Sequence, residues 1–349
     1  MRAALFLIGI FWVAGTLHAR AKSDVVVMNN GDRFTCEIKK LERGVLYASF
    51  DYVDGTMSIQ WSKVARIEST QLFIVNTLDG SIYEGTIHSS QAEGEQPVKL
   101  EVLEPTQNLA STSRRDVVEI SQSAQSFWKR ISGNIDSGLI YTRGNDTTQY
   151  NVGAGLRLRH ELWQGELDIV STLSKSAELS AATRNQARLG ARRYIGGRRR
   201  WFYSGASEFL QSSQQGISLQ STLGGGIGKL LKDTNNARFS LTGGLAYQST
   251  RYDLRTSRLS PPNALAGMVS MDLHLFHFKK TTFDLSASAL PVLTEPGRIR
   301  TYVNSAYSVQ IISNLWIKFS FYGNWDNRPP IYLSGSDYGA SSGVSWSFN

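Results

Sequence analysis

The sequence is poor in cysteine, proline and charged residues, and after its N-terminus it has no long apolar run. The single cysteine, Cys36, excludes an internal disulfide. Charged residues make up 19% of the chain, below the roughly 25% that is usual in soluble domains. No later stretch approaches the roughly 20 consecutive apolar residues that a membrane-spanning helix needs. A disulfide scaffold and a helical membrane protein are therefore poor descriptions of this chain.

Glycine and the aromatic residues are abundant instead. The 349 residues include 31 glycines, 8 tryptophans, 14 tyrosines and 15 phenylalanines. A chain with this many aromatic and aliphatic side chains buries enough apolar surface to fold, which excludes disorder as its main state. The composition favours an all-β protein.

The first residues have the pattern of an export signal. Arg2 precedes the apolar run Ala3–Gly15, and Ala19-Arg20-Ala21 follows as a small-x-small cleavage site. The run is too short to span a membrane, so the pattern predicts a secretory signal that is cleaved near Ala21. An uncleaved anchor is the alternative interpretation.

The charge of the remaining chain divides it into two parts. Residues 22–126 contain 10 Lys/Arg and 15 Asp/Glu, whereas residues 127–349 contain 25 Lys/Arg and 14 Asp/Glu. We therefore predict a signal peptide (1–21), a small periplasmic β domain (22–121), a linker (122–127) and a membrane barrel (128–349). No nucleic-acid partner is expected, because an exported protein rarely meets one and no basic groove pattern is present.

The first part contains a short β unit twice. Each copy opens on a strand followed by a tight-turn dipeptide, Asn30-Gly31 in the first and Asp79-Gly80 in the second. Aligning the two turns places Cys36 opposite Gly85. The repeat predicts two SH3-like small barrels or one merged β domain, and it resembles the Sm-like small barrel. We interpret it as a packing or docking module with an unidentified periplasmic partner.

The second part alternates apolar with polar or small residues, as the strands of outer-membrane barrels do. In one segment Leu241 is predicted to face lipid and Thr242 to face the lumen. The full pattern predicts a 12-stranded antiparallel transmembrane β-barrel. Its strands are predicted to start near residues 130, 147, 164, 184, 200, 217, 237, 264, 281, 298, 314 and 337.

The connections and the aromatic residues predict the orientation of the barrel. The long connections Ser174–Asn185, Ser249–Asn263 and Asn324–Asp337 all fall on one side, which is expected to be external. Outward aromatic residues gather at the strand ends, as in the girdles that meet lipid headgroups. A soluble β-sandwich or a lipocalin-like barrel remains the alternative.

Three features carry a resemblance to a known family: the signal sequence, the Gly144-Asn145-Asp146 turn, and the final strand YGASSGVSWSFN. They resemble the salt-stress-induced outer-membrane proteins, which have a YdiY-like domain of unknown function. Asp24–Ser69 resembles the N-terminal unit of the longer members. The resemblance implies an outer-membrane barrel in Gram-negative envelope or salt-stress adaptation, with outer-membrane lipid and the barrel-assembly machinery as partners.

Charged side chains are predicted to line the lumen. The predicted set is Arg157, Arg159, Asp168, Arg188, Arg192, Arg238, Asp272, Asp284 and Lys318. Opposite charges on neighbouring strands could pair and stabilise a narrow interior. Alternatively, the excess of positive charge within this set could favour anions at a constriction.

Three function classes stay open at this point. The chain is expected to be a narrow, anion-leaning passive pore, or else a non-conducting structural or docking barrel. An outer-membrane lipid hydrolase is the third class, and it is disfavoured because no serine lies within two residues of a histidine in the barrel segment. We therefore expect no enzymatic activity, no catalytic or metal site and no cofactor.

Overall fold

The computed structural model describes residues 22–348, except 91–98, 105–107, 124–130, 143–146, 161, 176–180, 197, 199, 253–262, 278–280, 313 and 330–334. The described residues form an N-terminal β domain and a closed β-barrel. The predicted signal sequence and most of the predicted linker lie outside the described residues. No helix in the described part of the chain is long and apolar enough to cross a membrane.

The N-terminal domain contains nine antiparallel strands and two single-turn 3-10 helices. The strands are β1 (Asp24–Met28), β2 (Arg33–Glu42), β3 (Val45–Ser49), β4 (Thr56–Gln60), β5 (Val64–Thr77), β6 (Ile82–Ser89), β7 (Lys99–Leu103), β8 (Leu109–Ser113) and β9 (Val117–Gln122). The helices are Trp61–Lys63, before β5, and Arg114–Asp116, before β9.

The order of elements in this domain repeats, as the sequence does. The first half of β5 closes the first unit by pairing with β1, for example Glu68 with Val25. The second half of β5 opens the second unit and pairs with β9, for example Val75 with Ile120. The long strand β5 is therefore shared by both units.

The two units also exchange strand pairings and bury one common core. In β2 of the first unit, Leu41 pairs with Ile120 of the second, and Ile87 of the second pairs with Ser69 of the first. A single core cluster includes Ile38, Phe73 and Ile87, all fully buried. Of the two arrangements that the sequence allowed, the structure has the merged domain. The likeness to Sm or SH3 barrels stays a prediction.

Both predicted hairpin turns require glycine. Gly31 and Gly80 have φ of 92° and 85°, a left-handed conformation that only glycine adopts at little cost. The amide of Gly31 donates to the carbonyl of Met28, and that of Gly80 to Thr77. The turn dipeptides thus fix the register of the strands that follow them.

The barrel closes through twelve antiparallel strands, as predicted. They are β10 (Ile131–Thr142), β11 (Thr147–Arg159), β12 (Trp163–Lys175), β13 (Ala182–Tyr194), β14 (Trp201–Ser212), β15 (Ile217–Asp233), β16 (Ala237–Tyr252), β17 (Asn263–His277), β18 (Thr281–Pro291), β19 (Ile299–Ile312), β20 (Leu315–Asp326) and β21 (Ser336–Phe348). Closure comes from the pairing of β10 with β21, including Ile135 with Trp346.

The two ends of the barrel differ in their connections. At the near end, where β10 begins and β21 ends, the connections are short, such as 234–236 and 313–314. At the far end they are longer, such as 253–262 and 327–335. This asymmetry agrees with the pattern that the sequence predicted, and the N-terminal domain contacts the near end.

Candidate functional site

Side chains of the barrel alternate between its outside and its lumen. In β16 the outward Leu241 is 40% exposed, whereas the inward Thr242 is 7% exposed. In β14, Trp201 faces outward and Phe202 is buried inside. The charged residues discussed below lie on the inward face of their strands.

The outside of the barrel is an apolar belt with aromatic rims. Large exposed apolar side chains include Leu245, Val269 and Val344. Exposed aromatic residues lie at the near ends of strands (Trp201, Trp346) and at the far ends (Phe209, Tyr247). A closed barrel with this surface is built to face lipid rather than water.

In the near half of the lumen, the predicted charges meet acidic partners on neighbouring strands. Arg157 Nη2 lies 3.7 Å from Asp168 Oδ1, and Glu166 is directly opposite Arg157 in register. Arg188 lies in register between Asp168 on one side and Glu208 on the other. These rows of alternating charge hold adjacent strands together.

Arg192 and Asp272 make a bridge across the lumen. Arg192 Nη2 is 2.8 Å from Asp272 Oδ2, although β13 and β17 are four strands apart in the barrel. The hydroxyls of Ser286 and Ser240 donate to the same carboxylate at 2.8 and 3.4 Å. The carboxylate therefore has a partner for both oxygens, which offsets the cost of its partial burial.

The remaining predicted residues whose side chains the structure describes are also paired. Arg238 Nε donates to Asp233 at 2.9 Å, and Lys318 Nζ donates to Asp136 at 2.6 Å. Asp284 Oδ1 is 2.7 Å from His274 Nδ1. Arg159 ends β11, and its side chain lies outside the described residues.

The excess of positive charge expected in the lumen does not hold. Acidic residues absent from the predicted set share the inward face, so the described lumen has at least as many acidic as basic side chains. The basic ones are Arg157, Arg184, Arg188, Arg192, Arg238, Arg300 and Lys318, and the acidic ones are Asp136, Glu166, Asp168, Glu208, Asp233, Asp272, Asp284, Asp326 and Asp337. The described lumen is a nearly neutral network of pairs.

A second bridge crosses the far half of the lumen. Arg184 in β13 contacts Asp337 in β21 at 3.1 Å, and both side chains are almost fully buried. The guanidinium also lies 4.5 Å from the ring centroid of Tyr322 in β20. The Ser212 hydroxyl donates to Asp337 at 3.3 Å. These contacts connect β13, β14, β20 and β21 at one height along the barrel axis.

The sequence prediction did not include Arg184 and Asp337 among the lumen residues. Both lie at predicted strand starts, near 184 and 337, where the predicted strands overlap the external connections 174–185 and 324–337. The structure starts β13 at Ala182 and β21 at Ser336, so both residues lie within strands. Applying the inward–outward alternation from the first residue of each strand would have found both.

The N-terminal domain covers the near mouth of the barrel. Asn235, in a near-end turn, donates through Nδ2 to the carbonyl of Val117 at 3.0 Å. Glu119 Oε2 lies 3.8 Å from Arg238 Nη2, and the guanidinium of Arg43 lies 5.3 Å from the Phe276 ring centroid. Each contact joins a domain residue to a residue at the near end.

A second contact lies at the rim, beside the β13–β14 turn. Arg200 Nε donates to the carbonyl of Asp79 at 3.0 Å, and Ser81 forms an isolated β-bridge with Arg198. Partial burial raises the pKa of Asp79, but hydrogen bonds from Thr77 and Ser81 outweigh this and lower it below its ordinary value. The charged turn Asp79-Gly80 therefore rests on the basic end of the barrel.

A cavity of about 100 Å³ lies between the domain and the lumen. Glu42, Arg43, Val118 and Glu119 line it from the domain, and Arg157, Arg192, Arg238, His274 and Phe276 are among the barrel residues that line it. The domain surface thus forms one wall of the near vestibule. Among the described residues, no group of three or more His, Cys, Asp or Glu side chains is placed to hold a metal ion.

A family model matches residues 135–338, which are almost the whole barrel. The family is described as proteins of unknown function, DUF481. The chain belongs to the DUF481 family. The match begins within β10, so the N-terminal domain lies outside the matched DUF481 region. No curated protein sequence shows significant similarity to this DUF481 chain.

Several solved barrels are similar to the DUF481 chain at low identity. The NanC porin is 11% identical with a TM-score of 0.39, and the match covers 61% of this chain and 98% of the porin. The translocator domain of the autotransporter NalP from Neisseria meningitidis is 14% identical with a TM-score of 0.33, covering 62% and 87%. BamA from Haemophilus ducreyi lacking POTRA domains 1–3 is 11% identical with a TM-score of 0.26, covering 90% and 75%.

Because these scores are low, the architecture rests on the strand pairing and surface of the chain itself. The closed antiparallel barrel, the apolar belt and the aromatic rims together define an outer-membrane β-barrel. This DUF481 protein is thus an outer-membrane barrel with a nearly neutral lumen and a covered near mouth.

Proposed function

We propose that the protein is a capped outer-membrane barrel, in which the N-terminal domain closes the near mouth in the resting state. The cavity shared by the domain and the lumen carries this proposal. Arg43 and Glu119 reach barrel residues at the mouth itself, so a solute entering there meets the domain first. The role involves no enzymatic step.

The lumen supports the same conclusion. The Arg192–Asp272 bridge crosses the near half and the Arg184–Asp337 bridge crosses the far half. Side chains that cross the lumen of a small barrel narrow it, and the domain would close the narrow passage that remains. The paired charges also offer little support for a preference for anions.

We propose that the near end and the domain lie in the periplasm. Short near-end connections and longer far-end connections support this orientation, because outer-membrane barrels have short periplasmic turns. An export signal within residues 1–21 is required for this location. The protein then serves envelope or salt-stress adaptation, as the family resemblance suggests, and the periplasmic domain presents a surface to a partner.

A reversible cross-link between domain and barrel tests the cap. A Cβ built on Gly44 would lie 3.4 Å from the Cβ of Asn235, close to the roughly 3.5–4.5 Å found in disulfides. We expect Gly44→Cys with Asn235→Cys, in a Cys36→Ser background, to cross-link on mild oxidation. In planar bilayers the oxidised protein should be silent, and reduction should permit channel openings.

Gly31→Cys with Asn235→Cys is the matched control. Gly31 and Gly44 both have positive φ, so both substitutions impose a similar backbone strain. No atom lies within 4 Å of a Cβ at Gly31, so this pair should not cross-link. If the oxidised and reduced Gly44/Asn235 proteins have equal conductance, the domain is not a cap.

A further inference from the structure

The outside of the near rim has basic side chains interleaved with aromatic ones. On β13, Arg193 lies opposite Trp163 of β12 and Tyr203 of β14. On β15, Lys229 lies opposite Trp201 of β14, and its Nζ is 5.0 Å from the ring centroid of Trp201. These residues face outward, away from the charged lumen.

The cations in this patch have no acidic partner among the described residues. Arg193 is exposed, and so are Trp163, Trp201 and Tyr203. Lys232 follows on β15, also exposed and opposite Phe239. We call Arg193, Lys229 and Lys232, with the aromatic residues beside them, the near-rim patch. Cations without acidic partners at the edge of an apolar belt create a positive electrostatic potential on the lipid-facing side.

Among the described residues, the near-rim patch lies on one side of the barrel. At the described near ends of the other strands, the outward side chains are uncharged and mostly apolar, including Leu275, Phe283, Ile317, Trp346 and Phe348. The aromatic girdle alone explains why the whole rim lies at the depth of the lipid headgroups. The localised cations indicate a site with a preferred ligand.

We propose that the near-rim patch binds the phosphate headgroup of an anionic glycerophospholipid. Tryptophan and tyrosine rings place the site at headgroup depth, and the acyl chains continue onto the apolar belt. Arg193 and Lys229 stand two strands apart, roughly 10 Å, so their long side chains can reach one phosphodiester from either side. A zwitterionic lipid gains much less, because its own cation opposes the patch.

The proposal depends on the barrel crossing a lipid bilayer, and it is independent of the cap. Each cation near a membrane surface favours an anionic lipid by roughly fivefold. Removing Arg193 and Lys229 should therefore weaken the preference by at least tenfold. High salt should weaken it further, because the site is open to solvent ions.

Lipid retention by the full chain tests this site. The refolded protein in a neutral detergent is mixed with phosphatidylglycerol or phosphatidylcholine, and retained lipid is counted by native mass spectrometry. We expect the wild type to retain phosphatidylglycerol at least tenfold better, and Arg193→Gln/Lys229→Gln to lose that preference. Lys175→Gln/Arg251→Gln, which removes two exposed cations at the far ends of β12 and β16, is the matched control and should keep it.

Three results would overturn the proposal: equal retention of both lipids by the wild type, an unchanged preference in the near-rim variant, or an equal loss in the far-end control. Competition by inorganic phosphate at the concentration of the lipid would also overturn it, because the acyl chains would then contribute nothing. A heat-modifiable gel shift verifies that each variant is folded.

Discussion

Arg192 of β13 and Asp272 of β17 meet across the lumen at 2.8 Å, four strands apart in the barrel. Neighbouring strands are held by their backbone ladder, but these two strands have no ladder between them. The pair therefore restrains the cross-section of the barrel in a way that backbone hydrogen bonds cannot. The serine hydroxyls on Asp272 fix the carboxylate in place for this contact.

Breaking this bridge should destabilise the barrel. Asp272→Asn keeps the shape of the side chain but leaves Arg192 without its counter-ion. We expect a loss of about 1–3 kcal/mol in the free energy of unfolding, reduced from the fully buried case because both groups are partly exposed. Urea unfolding from lipid vesicles measures it. With Arg192→Met added, the double variant should lose clearly less than the sum of the singles, and strict additivity would show that the pair does not interact.

Strand number, strand starts and the inward–outward phase of the barrel could be predicted from the sequence, because lipid and lumen impose opposite demands on alternate residues. Leu241 and Thr242 illustrate this, with opposite burial at adjacent positions. The same rule predicts which charges enter the lumen, but not which strand they meet. Arg184 and Asp337 are 153 positions apart in sequence, and only the curvature of the closed barrel brings them together.

The merged N-terminal domain could be predicted only in part. The repeat and its two glycine turns are visible in the sequence, since each turn needs positive φ. The exchange of pairing between Leu41 and Ile120 is not visible, because it depends on how two similar units pack. The position of the domain over the near mouth could not be predicted for the same reason. No local sequence pattern marks Asn235 and Val117 as hydrogen-bond partners.

The phase of β16 can be tested with nitroxides attached to single cysteines in the unfolded chain, in a Cys36→Ser background, before refolding into vesicles. The nitroxide at Leu241→Cys faces lipid and should be relaxed efficiently by oxygen, which partitions into the bilayer, whereas the nitroxide at Thr242→Cys is enclosed in the lumen and should be relaxed much less. Power saturation of the electron paramagnetic resonance signal measures both oxygen accessibilities. Similar accessibilities at the two positions would contradict the register of this strand.

Cys36 should be unreactive in the folded protein. Burial raises the pKa of its thiol to about 12, and the neighbouring Asp24 and Glu37 carboxylates add to the shift. Because the thiolate is the reactive form, the rate with iodoacetamide at pH 8 should be roughly 10³-fold lower than in urea. The raised pKa also favours the folded state most below pH 9, and this stability should decline as the pH rises toward 12. Rapid labelling of the native protein would place Cys36 outside the core.

Arg114 should stabilise the N-terminal domain by joining its two 3-10 helices. Its Nη1 donates to the carbonyl of Trp61 at 2.8 Å and also to Val64, while Trp61 Nε1 donates to the Arg114 carbonyl at 3.2 Å. We expect Arg114→Met to lower the free energy of unfolding of this domain by about 1–3 kcal/mol, because two buried carbonyls lose a charged hydrogen-bond donor. Pulsed labelling of Cys36 along a urea series reports the opening of this domain in the full chain. Arg115 is the exposed neighbour and the control: Arg115→Met should change the free energy of unfolding by no more than about 0.5 kcal/mol. If wild type and both variants have the same urea midpoint, Arg114 does not stabilise the domain.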